Sequence, residues 1–578
     1  MTDIVLLTPR EAPSGAPRLN NENVAITDQE YASLDPALRI FYEKVRENLG
    51  VACIASYLRA RDVEVAVVNL HGRNPTDESV TAALRAHRAP MVGISAMYDL
   101  HIADAQRLAT CARAANPDVF IAMGGAFCTY NAELILEWMP DIDCVATGEG
   151  EQTAANLVDC IVRGAGDWQA VKGISHREGD VIRSTGVPTL VDIATAPWPA
   201  RDVLTHHRAA GIPTPVASTY ASRGCHANCT FCYAPRAPGA SGWRWRLRPA
   251  GAIVDEIEQL QRDFGTRFVW FNDDNFSGAF GDGTLHALEF AEEVLRRGVR
   301  AEFHCEFRVD SGLIDRDALR TLRRAGIRSA LLGLESGAPS VLKRFRKGAT
   351  VHHNYDAARL VKDEEIVFEP GWIFFDPGTT LEELWENLAF LVSAQVHHTR
   401  DPFLLFNRAI ALRGTEMFEQ IERADTAVVG GDTSEFVDLL RHEYRLADAR
   451  LEILWDAWSA TGSVVSDRCE NLAPFVAQRL ADATRALRRW GANAAAPRQA
   501  LRRLCEWQRG LPSLFLAIVN GGLLLVERCP PETPETLRAE LRSLLDEFVS
   551  AFDVEHLGAE WSEFEAEVEE LTSAAASR

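Results

Sequence analysis

The chain has 578 residues, 47% of them hydrophobic, enough for several domains that each bury a core. Its formal net charge of −22, with no arginine-rich tail to offset it, excludes a protein built to neutralise nucleic-acid phosphates. No apolar run is long enough to anchor it in a membrane, a strand follows Met1-Thr2-Asp3 in place of a leader, and the 12 cysteines form no disulfide framework, so a reducing cytoplasm is the expected setting.

Residues 1–165 alternate short β-rich runs with helical stretches. Strands are expected at Ile4–Leu7, Val63–Val68, Val92–Ser95, Val119–Met123 and Cys144–Ala146, which together make an open, doubly wound sheet. Glycines stand where helices begin: Gly124-Gly125 after the fourth strand, and Gly148-Glu149-Gly150-Glu151 after the fifth. A nucleotide-like tail can approach the backbone at such turns, although a lone Gly-Gly also serves a tight turn with no ligand. Residues 166–214 read as a semi-rigid linker rich in proline, with a small hairpin at Gly173–Gly179.

From 215 to 410 strands and helices alternate again. Strands are expected at Pro215–Tyr220, Phe268–Phe271, Ala301–Val309, Ser329–Leu334, Ile366–Phe375 and Pro402–Phe406, a parallel (βα)6 array whose ligands gather at the carboxyl ends of the strands. The first strand runs into Ser222-Arg223-Gly224-Cys225-His226-Ala227-Asn228-Cys229-Thr230-Phe231-Cys232. Thiolates spaced C-x3-C-x2-C can hold three irons of a [4Fe–4S] cubane and leave the fourth without a protein ligand; separate structural thiols or a zinc site are the alternatives. Beyond it, Arg244, Arg246 and Arg248 either pair with carboxylates or clamp a phosphate or carboxylate of a ligand. Residues 411–578 are expected to be mostly helical, as at Phe436–Leu440 and Leu537–Phe548, with one buried hairpin or helix break at Leu514–Val526 around Gly521-Gly522. This unit carries no motif and is expected to cover the substrate opening.

The cysteine segment resembles the cluster loop of the radical S-adenosylmethionine (SAM) superfamily, whose open iron binds the amino and carboxylate groups of SAM. By that resemblance Phe231 packs near the adenine. Phe271-Asn272-Asp273-Asp274-Asn275-Phe276 is similar to the F-x-D-D-x-F segment of the cobalamin-dependent (class B) enzymes, which faces the SAM amino group. Arg308 resembles the arginine that pairs with the SAM carboxylate, Gly333-Leu334-Glu335-Ser336-Gly337 the ribose-binding strand end, and Gly371–Glu383 the segment near the adenine. The N-terminal unit is similar to the cobalamin-binding domain of the same class, which implies that Ser95 and the paired glycines Gly124 and Gly125 line the slot for the dimethylbenzimidazole tail, that the corrin lies over the strand ends, and that Tyr98, Gly148, Glu149 and Gly150 also bind the cofactor. One departure is plain: the loop after the first strand, Thr8 to Arg18, lacks the histidine of D-x-H-x-x-G, and His71 follows the wrong strand to replace it. Cobalt is therefore expected to have no imidazole below it, with Arg10, Asn69 or Arg73 open as neighbours of its lower face.

The resemblance implies an enzyme using a [4Fe–4S] cluster, SAM and cobalamin. In such enzymes a deoxyadenosyl radical takes hydrogen from the substrate, which then receives a methyl group from methylcobalamin. The cluster thiols and Arg308 are then the catalytic residues. The implied reaction is C-methylation of a small molecule or peptide, with flavodoxin or ferredoxin as electron donor. Radical rearrangement, ring contraction or cyclisation is the alternative, as is polar methylation of an sp2 carbon as in tryptophan C2-methylases. A corrinoid carrier or sensor would not need the cysteine triad.

Overall fold

The computed structural model describes residues 2–9, 47–70, 75–211, 214, 216–234, 245–278, 282–398, 405–424, 427–428, 441–461, 495–530 and 533–551. Arg10 and the rest of the first loop, His71, Arg73, Arg244 and Phe436–Leu440 lie outside them.

Strands β1 (Ile4–Thr8), β2 (Val65–Asn69), β3 (Met91–Ser95), β4 (Phe120–Gly124) and β5 (Cys144–Ala146) pair in parallel in the order β2-β1-β3-β4-β5. The central β1 is buried along its whole length, as an apolar run covered on both faces requires. Helices α1 (Leu49–Arg59), α2 (Asp77–His87), α3 (Ile102–Ala115), α4 (Ala126–Trp138) and α5 (Glu151–Ile161) supply that cover. Val5, Val92 and Ile121 share one core with residues of α2, α3 and α4, while Ile4, Met91 and Phe120 share the other with residues of α1 and α5. The hairpin forms as β6 (Ile174–Glu178) and β7 (Val181–Ser184), but it does not stand alone: β6 pairs antiparallel with β5 and extends the first sheet to seven strands.

The second sheet begins with β8 (Val216–Thr219). The chain then enters β9 (Ser222–Arg223), which pairs antiparallel with β10 (Arg246–Leu247) and closes the neck of the cysteine loop. Strands β11 (Phe268–Phe271), β12 (Glu302–Arg308), β13 (Ile327–Glu335) and β14 (Val367–Trp372) continue the sheet in sequence order, all parallel. Helices α6 (Ala250–Phe264), α7 (Asp282–Arg297), α8 (Arg316–Ala325), α9 (Val351–Asp363) and α10 (Leu381–Ser393) alternate with them. The array is thus the expected partial barrel with one difference: the sixth position is marked by a single parallel bridge, Phe375 to Arg408, and most of the expected strand at 402–406 falls outside the described residues.

The C-terminal part is joined to the barrel by a common core. Trp458 stacks on Phe406 and meets Phe374 and Phe375 edge-on, and Phe406 also packs on Phe515. A small antiparallel sheet of β15 (Ala411–Leu412), β16 (Ala427–Val428) and β17 (Arg441–Tyr444) adds strands that the composition did not suggest. The expectation of a hairpin at Leu514–Val526 is corrected: the segment lies inside one helix, α11 (Ala495–Arg528), which pairs with α12 (Pro534–Ala551). Within the helix, neighbouring side chains come close to Gly521 and Gly522. A Cβ on Gly521 would lie 2.9 Å from Leu544, and one on Gly522 2.9 Å from the Trp458 indole nitrogen. Among the described residues no helix is long and apolar enough to cross a membrane.

Candidate active site

The thiols of Cys225 and Cys229 are buried and that of Cys232 is half-buried, on the loop above the carboxyl end of β8. The loop is pinned from outside: the Thr230 amide donates to the Phe345 carbonyl at 3.0 Å, and its carbonyl accepts from the Met417 amide at 2.9 Å. Burial pushes the Cys232 thiol up to about 12, which a bound cation would reverse by favouring thiolate. Among the described residues no three His, Cys, Asp or Glu side chains converge on one point as a single-ion site requires, and thiolates that each take a separate iron have no such need. Three thiols on one loop are the donor set of a cluster that leaves one iron open.

Arg308, at the end of β12, reaches the triad. Its Nη1 donates to Cys229 Sγ at 3.6 Å, Nε and Nη2 grip Asp310 at 2.9 and 2.7 Å, and Nη2 also meets the Lys347 carbonyl. Lys347 Nζ in turn donates to Glu335 Oε1 at 2.7 Å. Glu335 adopts the left-handed region at φ 62°, uncommon for a residue with a side chain and a mark of strain held by its surroundings. Ser336 is fully buried, its hydroxyl donating to Asn387 Oδ1, which also accepts from the Gly337 amide. Lys347 thus links the Glu335 strand end to Arg308, which itself reaches Cys229. Phe231 packs edge-on against Phe345 at 5.1 Å.

The acidic turn after β11 divides. Asn272 and Asp274 are exposed, and Asp274 accepts from the Gly224 amide beside Cys225. Asp273 was expected to face SAM but is turned inward: its carboxylate accepts from the amides of Ala221 and Ser222 and from the Ser222 hydroxyl. Burial pushes it up to about 7, with those donors opposing. It holds the entry to the cluster loop in place.

In the first domain, Ser95 (accepting from Asn48 Nδ2 at 3.2 Å), the exposed Tyr98, Gly124-Gly125 and Gly148 stand at or just beyond the carboxyl ends of β3, β4 and β5. Gly125 sits at φ 114°, and a Cβ there would come 2.4 Å from the Ala96 carbonyl oxygen. We expect Gly125→Ala to destabilise the apoprotein by about 1–3 kcal/mol in denaturant unfolding, and to weaken cobalamin binding in an absorbance titration, because backbone on both sides must shift. Glu149 was expected to bind the cofactor, and its carboxylate is instead taken up by arginines. Its carboxylate pairs with Arg223 at 3.1 Å and with Arg246, both in the barrel domain. Arg248 pairs with buried Glu256 at 2.6 Å, so Arg246 and Arg248 take the carboxylate-pairing reading. Sequence reasoning missed Arg223, Lys347 and Asp310; the signal for Arg223 was a basic residue two positions before Cys225 facing a turn with two glutamates.

Three thiols on one loop of a parallel partial barrel, set against a doubly wound domain with glycine turns at its strand ends, define a class of protein that pairs an iron–sulfur cluster with a nucleotide-tailed cofactor. Residues 42–158 match the B12 binding domain, and residues 219–391 match the radical SAM superfamily. The chain belongs to the cobalamin-dependent radical SAM enzymes, and its cofactors are cobalamin, SAM and a [4Fe–4S] cluster.

It is similar to an uncharacterized methyltransferase of Pyrococcus horikoshii, 27% identical over 378 residues, which cover 64% of this chain and 77% of that one. It is also similar to the anaerobic magnesium-protoporphyrin IX monomethyl ester cyclase of Rubrivivax gelatinosus, 30% identical over 352 residues, 58% of this chain and 60% of the cyclase, so it spans less than two thirds of that relative. Its fold is that of the cobalamin-dependent SAM radical enzyme OxsB, solved with aqua-cobalamin and SAM bound: TM-score 0.65 at 18% identity, covering 100% of this chain and 80% of that one.

Proposed function

We propose that the protein is a C-methyltransferase that moves a methyl group from SAM, by way of cobalamin, to a carbon of a small molecule or a peptide, with flavodoxin or ferredoxin as electron donor in the cytoplasm. The observation that carries this reading is the similarity to a protein named a methyltransferase over 378 residues, 64% of this chain and 77% of that one. When bound, the three cofactors supply a hydrogen-abstracting radical and a methyl group.

The chain's own residues then have distinct tasks. Cys225, Cys229 and Cys232 hold the cluster, while Arg308 and the Glu335–Ser336 strand end receive SAM. Phe231, Asn272 and Asp274 border the same space, and Ser95, Tyr98, Gly124, Gly125, Gly148 and Gly150 hold cobalamin. The substrate faces the inner side of the barrel, where Trp270 stacks on His304 at 3.8 Å and Glu306, Leu331 and Glu369 lie in register across three strands. The C-terminal helices, of which α11 packs on α10, bound this chamber and set specificity.

Similarity to a cyclase favours a second reading, radical cyclisation or rearrangement. Incubation of the reconstituted enzyme with candidate substrates and methyl-deuterated SAM separates the two. We expect a product carrying an intact trideuteromethyl group on carbon; turnover to an unlabelled product would replace methylation with the second reading.

A further inference from the structure

We infer that Arg223 is a positioning residue that fixes the separation between the cobalamin-binding turn after β5 and the cluster loop, with Glu149 and Glu151 as its partners. Arg223 is the last residue of β9, separated from Cys225 only by Gly224, which bends the chain at φ 85°. Its guanidinium divides between two carboxylates of the first domain: Nη1 donates to Glu149 Oε2 at 3.1 Å and Nη2 to Glu151 Oε1 at 2.6 Å. The Tyr220 ring lies 4.8 Å from the guanidinium carbon and backs it.

Arg246 stands opposite Arg223 in the β9–β10 pair, takes the other oxygen of Glu149, and donates through Nη1 to the Val191 carbonyl at 2.9 Å. Both sides of the loop's neck are therefore tied to one turn. That turn is itself rigidly seated. The Gly148 amide donates to Thr129 Oγ1 at 2.9 Å, a Cβ on Gly150 would lie 2.9 Å from Ile54, and Glu151 is the buried first residue of α5.

A second junction grips the far end of the triad. Tyr233, directly after Cys232, stacks on Tyr130 of α4 with centroids 4.3 Å apart and planes 5° apart, and the Tyr130 hydroxyl donates to the Tyr233 carbonyl at 2.8 Å. The first domain thus holds the cysteine run before its first ligand and after its last. Two cofactors that serve one substrate must keep a set distance, and a planar fork split between two carboxylates on a rigid turn enforces it better than a lone ammonium would. The inference requires both cofactors but no particular reaction, so the failure of the methylation reading would leave it standing.

The test uses the full chain loaded with both cofactors and reduced so that cobalt(II) and the cluster are paramagnetic together. Pulsed EPR then reads their separation through the spin–spin coupling. Wild type should give one narrow distance distribution. Arg223→Ala, and Glu151→Gln from the other side, should keep full iron and corrin content while the distribution broadens at least twofold, and Arg223→Lys should fall between. Wild-type breadth in both Arg223→Ala and Glu151→Gln would overturn the proposal. So would loss of iron or corrin from both, which would make the junction a structural prop.

Discussion

Replacing Cys225, Cys229 and Cys232 together with Ala should take the anaerobically reconstituted protein from about four iron and four sulfide per chain to none. The three thiols lie on one loop whose backbone is fixed from outside, through Thr230 to Phe345 and Met417 and through Asp273 to Ala221 and Ser222. The loop's path therefore survives removal of the ligands, and loss of iron reads ligation rather than unfolding. Deoxyadenosine and product formation should vanish with the cluster, while cobalamin absorbance stays, because the corrin site belongs to a separate core. Iron and sulfide assays with a visible spectrum settle it, and a full cluster in the triple variant would refute the ligand assignment.

Arg308→Ala should keep both the cluster and cobalamin and lose deoxyadenosine formation. Charge-assisted hydrogen bonds contribute about 1.5–3 kcal/mol, so SAM affinity at the cluster should fall roughly ten- to a hundred-fold. The geometry sharpens the expectation. Two of the three guanidinium nitrogens already face Asp310, leaving Nη1, which points to Cys229, as the one aimed at the cluster. Arg308→Lys should therefore recover little, since an ammonium cannot grip Asp310 side-on and reach the cluster side together. SAM binding and deoxyadenosine, measured alongside product, check this. Undiminished deoxyadenosine in Arg308→Ala would remove the residue from the SAM site, and methylation by wild type without any deoxyadenosine would favour polar transfer.

Elements with a strong local period were legible beforehand. The expected Phe268–Phe271 and Cys144–Ala146 strands match the observed ones in full, and Ile253, Ile257 and Leu260 fall on the buried face of α6. Local signals failed where a partner decides. Gly521-Gly522 looks like a turn, yet both lie inside a helix packed against Leu544 and Trp458, where a Cβ would come within 3 Å of a neighbouring side chain. The hairpin after Gly173 is legible as a hairpin but not as part of the first sheet, because nothing within it reveals that β5 offers an open edge.

The sequence by itself determined the three-thiol spacing, the alternation of strands and helices, and the glycine turns at strand ends, because ligand spacing and residue period are properties of a few neighbouring residues. Only the tertiary structure decided what the charged groups around them do. A carboxylate such as Glu149 is chemically the same whether it meets a cofactor or an arginine 74 positions away, and Asp273 faces the chain because the backbone amides of Ala221 and Ser222 arrive there when β8 and β11 pair. Burial and long-range pairing assign those roles, and neither is written in any short stretch of residues.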